Sequence, residues 1–224
     1  MKALLLPVKR IENAKQRLAT FLSPAERQGL MAAMTADTFA AAAAARAPDR
    51  VFIVTADPTA AATADRLGWT VLHETTQTSE SASVDDASRR CEALGVTALL
   101  RLPLDLPLVT GADIDAVFTA AMLTMGQAPR GALMVPSRDG TGTNAILRTP
   151  PTLFPSQFGP GSYAKHKDAA AAAGVTAVAL RNARIEMDVD DAEDLRALLA
   201  HAPIGGATGA WLATNAIAAR LGLG

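Results

Sequence analysis

The sequence predicts an α/β fold, doubly wound about a mostly parallel sheet in a single three-layer domain. Three observations carry that expectation. Short, continuous apolar runs recur along the chain, as in Ala3-Leu4-Leu5-Leu6-Pro7-Val8 and Gly131-Ala132-Leu133-Met134-Val135, the pattern of strands buried on both faces. Helix-start signatures follow most of them, for example Ser23-Pro24-Ala25-Glu26 and Thr110-Gly111-Ala112-Asp113. The strands and helices alternate at the spacing of βαβ units.

Taken in order, residues 3–8 should form the first, central strand. Ser23 and Glu26 make a capping box with Pro24 at the first helical position, opening an alanine-rich helix to about Ala45. Pro48-Asp49 breaks it and residues 50–55 form the second strand. Asp57-Pro58 starts a helix through Leu67, and residues 70–73 give a short third strand. Ser83 is expected to cap a helix running to Leu94. Residues 96–102 form the fourth strand, Thr110 caps a helix to Met125, and strands follow at 131–135 and 145–148. Ser162 is expected to cap the helix 163–173, residues 175–180 make another short strand, and Asp188 and Asp190 follow it at the start of the last core helix. The first 202 residues then form the domain, and residues 203–224 add a helical extension, with an amphipathic stretch from Trp211 to Leu221, packed on the domain or used as a subunit contact.

Composition narrows the class. At 224 residues the chain can build one substantial core, and a formal net charge of −1 supplies no field for nucleic acid or anionic membranes. No apolar run approaches the ~20 residues of a membrane span, so a cytoplasmic protein is expected. The lone Cys91 cannot form an internal disulfide and reads as a structural thiol. His73, His166 and His201 lack the spacing of zinc ligands. The chain has no G-x-G-x-x-G after its first strand, no G-K-[ST] P-loop and no serine-hydrolase elbow.

Chemistry concentrates in a few stretches. Pro136-Ser137-Arg138-Asp139-Gly140-Thr141-Gly142-Thr143-Asn144 leaves a strand and collects glycines, hydroxyls, an amide and a cation, the donors that grip phosphate or carboxylate oxygens; a plain surface turn is the alternative. A second glycine-rich run, Phe158-Gly159-Pro160-Gly161-Ser162, opens a helix whose N-terminus can hold an anion. Lys9, Arg10, Lys15 and Arg17 follow the first strand, at the ligand-binding edge of such a sheet, and read either as a polyphosphate site or as a solvated face. Asp105, between Pro103 and Pro107 after a buried strand, is a candidate metal ligand or a turn aspartate. Asp188 and Asp190, two residues apart, point the same way in extended chain; one can serve a metal while the other caps a helix. Carboxylates beside phosphate-binding loops suit Mg²⁺, which takes one or two carboxylates plus phosphate oxygens.

These motifs together resemble the 2-phospho-L-lactate or phosphoenolpyruvate guanylyltransferases of coenzyme F420 biosynthesis, relatives of the molybdenum-cofactor guanylyltransferase type with its nucleotide-diphospho-sugar transferase fold. The matching pieces run collinearly over residues 3–195: Pro7-Val8-Lys9, Ala14-Lys15-Gln16-Arg17-Leu18, Leu102-Pro103-Leu104-Asp105-Leu106-Pro107, the two glycine-rich runs, and Asp188-Val189-Asp190. The resemblance implies that Lys9, Lys15 and Arg17 hold the phosphates of GTP and the acidic substrate. It implies that Asp105 with Asp188 or Asp190 binds Mg²⁺, with Lys15 and the aspartates as catalytic residues. Thr143, Gly159 and Ser162 match the pocket for the phospho-acid, with Asn144 and Gly161 beside them. The expected reaction is GMP transfer from GTP onto 2-phospho-L-lactate, phosphoenolpyruvate or 3-phosphoglycerate, by a protein that needs no nucleic-acid or membrane partner and can form a homodimer.

One segment departs from the family pattern. Ser79-Glu80-Ser81-Ala82-Ser83-Val84-Asp85-Asp86 stands where a Gly-Leu-Asn-Ala-type motif reading the base is expected. Ser83 and Asp85 are the candidate nucleotide contacts there, since a carboxylate can accept from the guanine edge, but adenine and cytosine also offer amino donors. A nucleotidyltransferase with another base or acceptor, or a nucleotide-binding relative without turnover, is the alternative.

Overall fold

A computed structural model of the chain describes residues 1–9, 15–75, 78–126, 128–201 and 203–223. Arg10 and Ala14 lie outside the described residues.

Among the described residues seven strands form one sheet in the order β3-β2-β1-β4-β6-β5-β7, with β1 at Lys2–Val8, β2 at Arg50–Thr55, β3 at Thr70–His73, β4 at Ala98–Arg101, β5 at Gly131–Pro136, β6 at Thr143–Thr149 and β7 at Val178–Ala179. All pairings are parallel except those of β6, which runs antiparallel to β4 and β5. The 137–142 loop is too short for a crossover and returns the chain directly, so β6 must run antiparallel to β5.

The continuous apolar runs are explained by burial on both faces. Leu4, Leu6 and Ile53 pack with Phe39 of helix α1 (Pro24–Ala44) and Ile114 and Phe118 of helix α4 (Gly111–Met125). Their neighbours Ala3, Leu5 and Phe52 point the other way, against Val84, Ala87 and Cys91 of helix α3 (Glu80–Ala93). Helix α2 (Pro58–Arg66) follows β2, capped by Asp57. Burial pushes the Cys91 thiol up to about 12 against the pull of Arg90, which leaves it a structural residue.

The capping boxes at Ser23 and Thr110 form as expected. Two expected caps shift by a turn or less. Ser79, not Ser83, caps α3 by accepting the Ala82 N–H at 3.1 Å, so Ser83 lies inside the helix and donates back to the Ser79 carbonyl at 3.0 Å. Helix α5 (Ser162–Ala172) takes Gly161, at φ 70°, as its N-cap, and Ser162 is its first residue; only glycine adopts that backbone without penalty. The strand expected at 175–180 shrinks to the two residues of β7, and a turn over residues 183–185 separates it from Asp188.

Helix α6 (Ala192–Leu199) is capped by Asp191. Beyond it, α7 (Gly206–Thr214) and α8 (Ile217–Arg220) lie against α1, with Leu212 and Ile217 joining Leu30 and Met34. Gly29 allows this approach: a Cβ there would sit 2.6 Å from the Trp211 indole nitrogen. The Asp37 carboxylate of α1 accepts the Ala207 and Thr208 amides at 2.7 and 2.8 Å, anchoring the N-terminus of α7. Among the described residues no helix is long and apolar enough to cross a membrane.

The topology fixes where a ligand can sit. The chain winds from β1 to β3 on one side of β1 and resumes with β4 on the other, so a crevice opens between the carboxyl ends of β1 and β4. The 137–142 loop and the start of β6 lie along the same edge of the sheet.

Candidate active site

A cleft of about 450 Å³ occupies that edge and is lined by Asp105, Thr143, Asn144, Gly159, Gly161, Ser162, Asp188 and Asp190, with Arg17 at its rim. Most candidate residues from distant parts of the chain therefore converge. Lys15 joins them from beneath: its ammonium, only 6% exposed, donates to Asp105 at 2.6 Å and to Asp190 at 2.7 Å. Burial alone lowers a lysine's pKa, but the two carboxylates outweigh it and raise Lys15 above its usual range. Lys15 also holds a left-handed backbone, φ 55°, at the start of a 3-10 turn, Gln16–Leu18. Non-glycine residues occupy that region at a cost of ~1 kcal/mol, and the two ion pairs hold it there.

The aspartates are aimed by alternation. Met187 and Val189 are buried among Leu18, Leu195 and Leu198, so Asp188 and Asp190 between and after them face the cleft. The Asn144 amide donates to the Ile185 carbonyl at 2.9 Å and hydrogen-bonds Asp188, which ties the 185–188 turn to β6. Asp105 and Asp188 are driven in opposite directions. Burial pushes the Asp105 carboxyl up, but the Lys15 charge holds it below the usual carboxylate range. Burial first, then repulsion from Asp105, raises Asp188 to about 6, despite the Asn144 hydrogen bond. Lys15 pairs with Asp105 and Asp190, Arg101 also acts on Asp105, and Asp188, which neither cation pairs with, bears the deficit.

That deficit yields a stability prediction. With a folded-state pKa near 6 against an ordinary value of 3.8, Asp188 contributes stability that is fully present below about pH 4 and lost as pH rises through 6. Asp188→Asn is thus expected to stabilise the metal-free protein at pH 7.5 by about 1–3 kcal/mol, with the gain vanishing by pH 4. Urea melts across that range check it, and an equal effect at both pH values would remove the repulsion.

The two glycine-rich loops behave differently. In 137–142 the donors are already spent: Ser137 Oγ accepts the Gly142 N–H at 2.7 Å, and Asp139 accepts the Thr141 N–H at 2.9 Å and its hydroxyl at 2.8 Å. The Ser137 hydroxyl also donates to Asp139, and that bond first, then those from Thr141, pulls Asp139 down to about 2. The loop's own carboxylate therefore takes the place of an external anion, and Thr143, at the end of the loop, is the donor left facing the cleft. Gly159 and Gly161 stand at φ 111° and 70° with open space where a Cβ would go, so backbone conformation and not room demands glycine.

Three expected nucleotide contacts lie outside the cleft wall. Lys9 extends to Glu80 at 3.3 Å and is half exposed. Ser83 is buried in α3. Asp85 accepts the Ser156 N–H at 2.9 Å and sits 3.7 Å from the buried Arg148 guanidinium. The 79–86 segment instead contributes Glu80, which pairs with Arg101. Arg101 itself lies in a strand that reads as apolar, stacks 4.1 Å from the Phe158 ring centre and reaches the Thr143 and Asn144 carbonyls. No sequence signal short of the fold marks Arg101 as a cleft residue. His166 is fully buried behind Thr143, 3.0 Å from its hydroxyl, and burial followed by the charges of Arg148 and Arg101 pushes it down to about 4.

A doubly wound sheet with carboxylates, a buried lysine and hydroxyl donors converging at its switch point is an arrangement suited to a nucleotidyltransferase, the class to which the relatives named guanylyltransferase belong. A family model described as "Guanylyl transferase CofC like" matches residues 1–212, and the chain belongs to that family. It is 35% identical to the phosphoenolpyruvate guanylyltransferase of Sphaerobacter thermophilus over 204 residues, 89% of this chain and 93% of the relative. Identity is 34% to the enzyme of that name from Conexibacter woesei, covering 87% and 85%, and 30% to the 2-phospho-L-lactate guanylyltransferase of Methanothermobacter thermautotrophicus, covering 88% and 83%. Among solved structures, one from Desulfovibrio desulfuricans G20 described as a nucleotide-diphospho-sugar transferase superposes with a TM-score of 0.74 at 16% identity, covering 96% of this chain and 95% of that one. A nucleotidyl transferase from Methanothermobacter gives 0.61 at 16% identity, covering 96% and 99%. These structures share the fold.

Proposed function

We propose that the protein transfers GMP from GTP onto a small phosphorylated carboxylic acid, as its relatives' names describe, with Mg²⁺ as cofactor, in a pathway such as coenzyme F420 biosynthesis. The observation that carries the reading is the cleft's charge. Eight carboxylates and three guanidiniums line it among the described residues, yet its hydroxyl and glycine wall suits an anion. A triphosphate and a phospho-acid can enter so acidic a cleft only with divalent cations.

The donor set fits Mg²⁺. Asp105, Asp188 and Asp190 offer hard oxygens only, and the raised Asp188 carboxyl is one that gains from a nearby cation. No group of three ligating side chains stands ready among the described residues, because the Lys15 ammonium takes the place between Asp105 and Asp190. When bound, the metal would supply charge neutralisation at the α-phosphate. Thr143, Ser162 and the Gly159 backbone would orient the phospho-acid, and Lys15 and Arg17 would hold the pyrophosphate side. An oxygen of the acceptor phosphate then attacks the α-phosphorus, the bond to the β-phosphate oxygen breaks, and pyrophosphate leaves. Such transfers depend on in-line positioning and on cations, so no covalent intermediate is needed.

The test crosses GTP, ATP, CTP and UTP against phosphoenolpyruvate, 2-phospho-L-lactate and 3-phosphoglycerate with Mg²⁺, reading pyrophosphate and product mass. A GMP adduct of one acid is the expected result. Another nucleotide's adduct, or silence across the grid from folded protein, would overturn the reading.

A further inference from the structure

We infer that His166 is a positioning residue that fixes the Thr143 hydroxyl as a hydrogen-bond donor to the bound anion; the inference rests on the phospho-acid reading of the cleft. A backbone group sets the tautomer. The Gln157 N–H can only donate, and it lies 2.8 Å from His166 Nε2, so Nε2 must carry the lone pair. The ring is then neutral with its proton on Nδ1, because an imidazolium would present two donors. Nδ1–H faces Thr143 Oγ1 at 3.0 Å and donates to it. Having accepted that bond, the hydroxyl turns its own proton away from the ring, and the free side of Thr143 is the cleft.

The ring has no freedom to do otherwise. His166 has no exposed surface, and Phe158 packs edge-on against it with ring centres 5.0 Å apart. The same imidazole also links the parts of the acid pocket. It stands four residues after Ser162, on the same face of α5, and holds the backbone just before Gly159 through Gln157. A hydroxyl left to choose would spend part of its time as an acceptor, which repels an anion; the fixed tautomer removes that choice.

The test is a double-mutant cycle on His166→Phe and Thr143→Val, read as KM for phosphoenolpyruvate and for GTP separately. Each single change is expected to raise the KM for the acid about 10-fold, the loss of one hydrogen bond to a charged group, and to leave the KM for GTP unchanged. The double variant should be no worse than Thr143→Val, since the histidine acts through that hydroxyl. His166→Asn, whose amide can replace Nδ1–H, should recover most of the affinity, whereas His166→Gln should not. Additive effects, or equal losses for both substrates, would overturn the inference.

Nitrogen-15 spectra of the unsubstituted protein give a readout independent of variants and of turnover, with an Nδ1–H tautomer persisting to pH 5 as the expected result. That tautomer, perturbed by added phosphoenolpyruvate in a protein that makes no GMP adduct, would sink the guanylyl-transfer reading and leave the positioning role standing. A GMP adduct from a protein whose His166 is the Nε2–H tautomer or protonated would do the reverse.

Discussion

Asp105→Ala is expected to lower GMP transfer about 10³-fold, the loss seen when a fixed electrostatic group at a reaction centre is removed, while the protein stays folded. The residue lies four residues beyond the end of β4, beside the crevice, and its carboxylate is kept ionised by Lys15. Losing it removes one hard oxygen from the set proposed to hold Mg²⁺ and frees one side of Lys15. The fold should tolerate this, because Asp190 still pairs with the ammonium and the neighbouring Leu104 and Leu106 remain in the core. Asp105→Asn separates charge from shape: with size kept and charge lost, it should be nearly as damaging. Steady-state turnover beside a thermal melt decides the matter. A well-folded Asp105→Ala protein turning over at near the normal rate would take Asp105 out of the reaction.

The fold was legible because burial on both faces writes itself as unbroken apolar runs, and each of the long runs became a strand. The weak strand signal at 175–180 gave way to tertiary contacts, which override local pattern. Residues 175–180 pair only at Val178 and Ala179, at the sheet edge, and the stretch before Asp188 is held by the Asn144 amide and the hydrophobic cluster under Met187, with no strand ladder. In the site, Asp105 was readable because burying a charge restricts residue type, the second glycine run because positive φ does, Asp190 because two-residue spacing sets it beside Asp188, and Lys15 because cations after the first strand meet the ligand-binding edge. Arg101 was not, since a strand arginine looks like any interruption of an apolar run until Glu80 and Phe158 are folded against it. Nor could sequence foresee that Asp139 would consume the donors of the first loop. His166 did leave a trace, a histidine one helical turn beyond Ser162, although its spacing suits no zinc site.

Lys15→Met should have the largest combined effect on stability and turnover. The substitution leaves Asp105 and Asp190 facing each other without their shared cation, and breaking a buried pair in that way costs about 3–5 kcal/mol. Asp190 is 45% exposed, so solvent shares the burden and a loss of about 2 kcal/mol is the better expectation. The pH dependence carries the sign. With Lys15 in place, the depressed Asp105 pKa contributes stability that is present above its ordinary value of 3.8 and lost as the solution is acidified below it. Without Lys15, burial is the leading influence left and pushes Asp105 the other way, so the variant should recover toward the parent as pH falls from 7 to about 4. A divalent cation can take the vacated place between the two carboxylates. Millimolar Mg²⁺ should therefore raise the melting temperature of Lys15→Met more than that of the parent, yet leave turnover at least about 10²-fold down, because the side proposed to hold pyrophosphate then lacks its ammonium. A variant that melts like the parent at every pH would show that Lys15 holds neither carboxylate in solution. One that regains full turnover with Mg²⁺ would assign the lysine to charge balance alone.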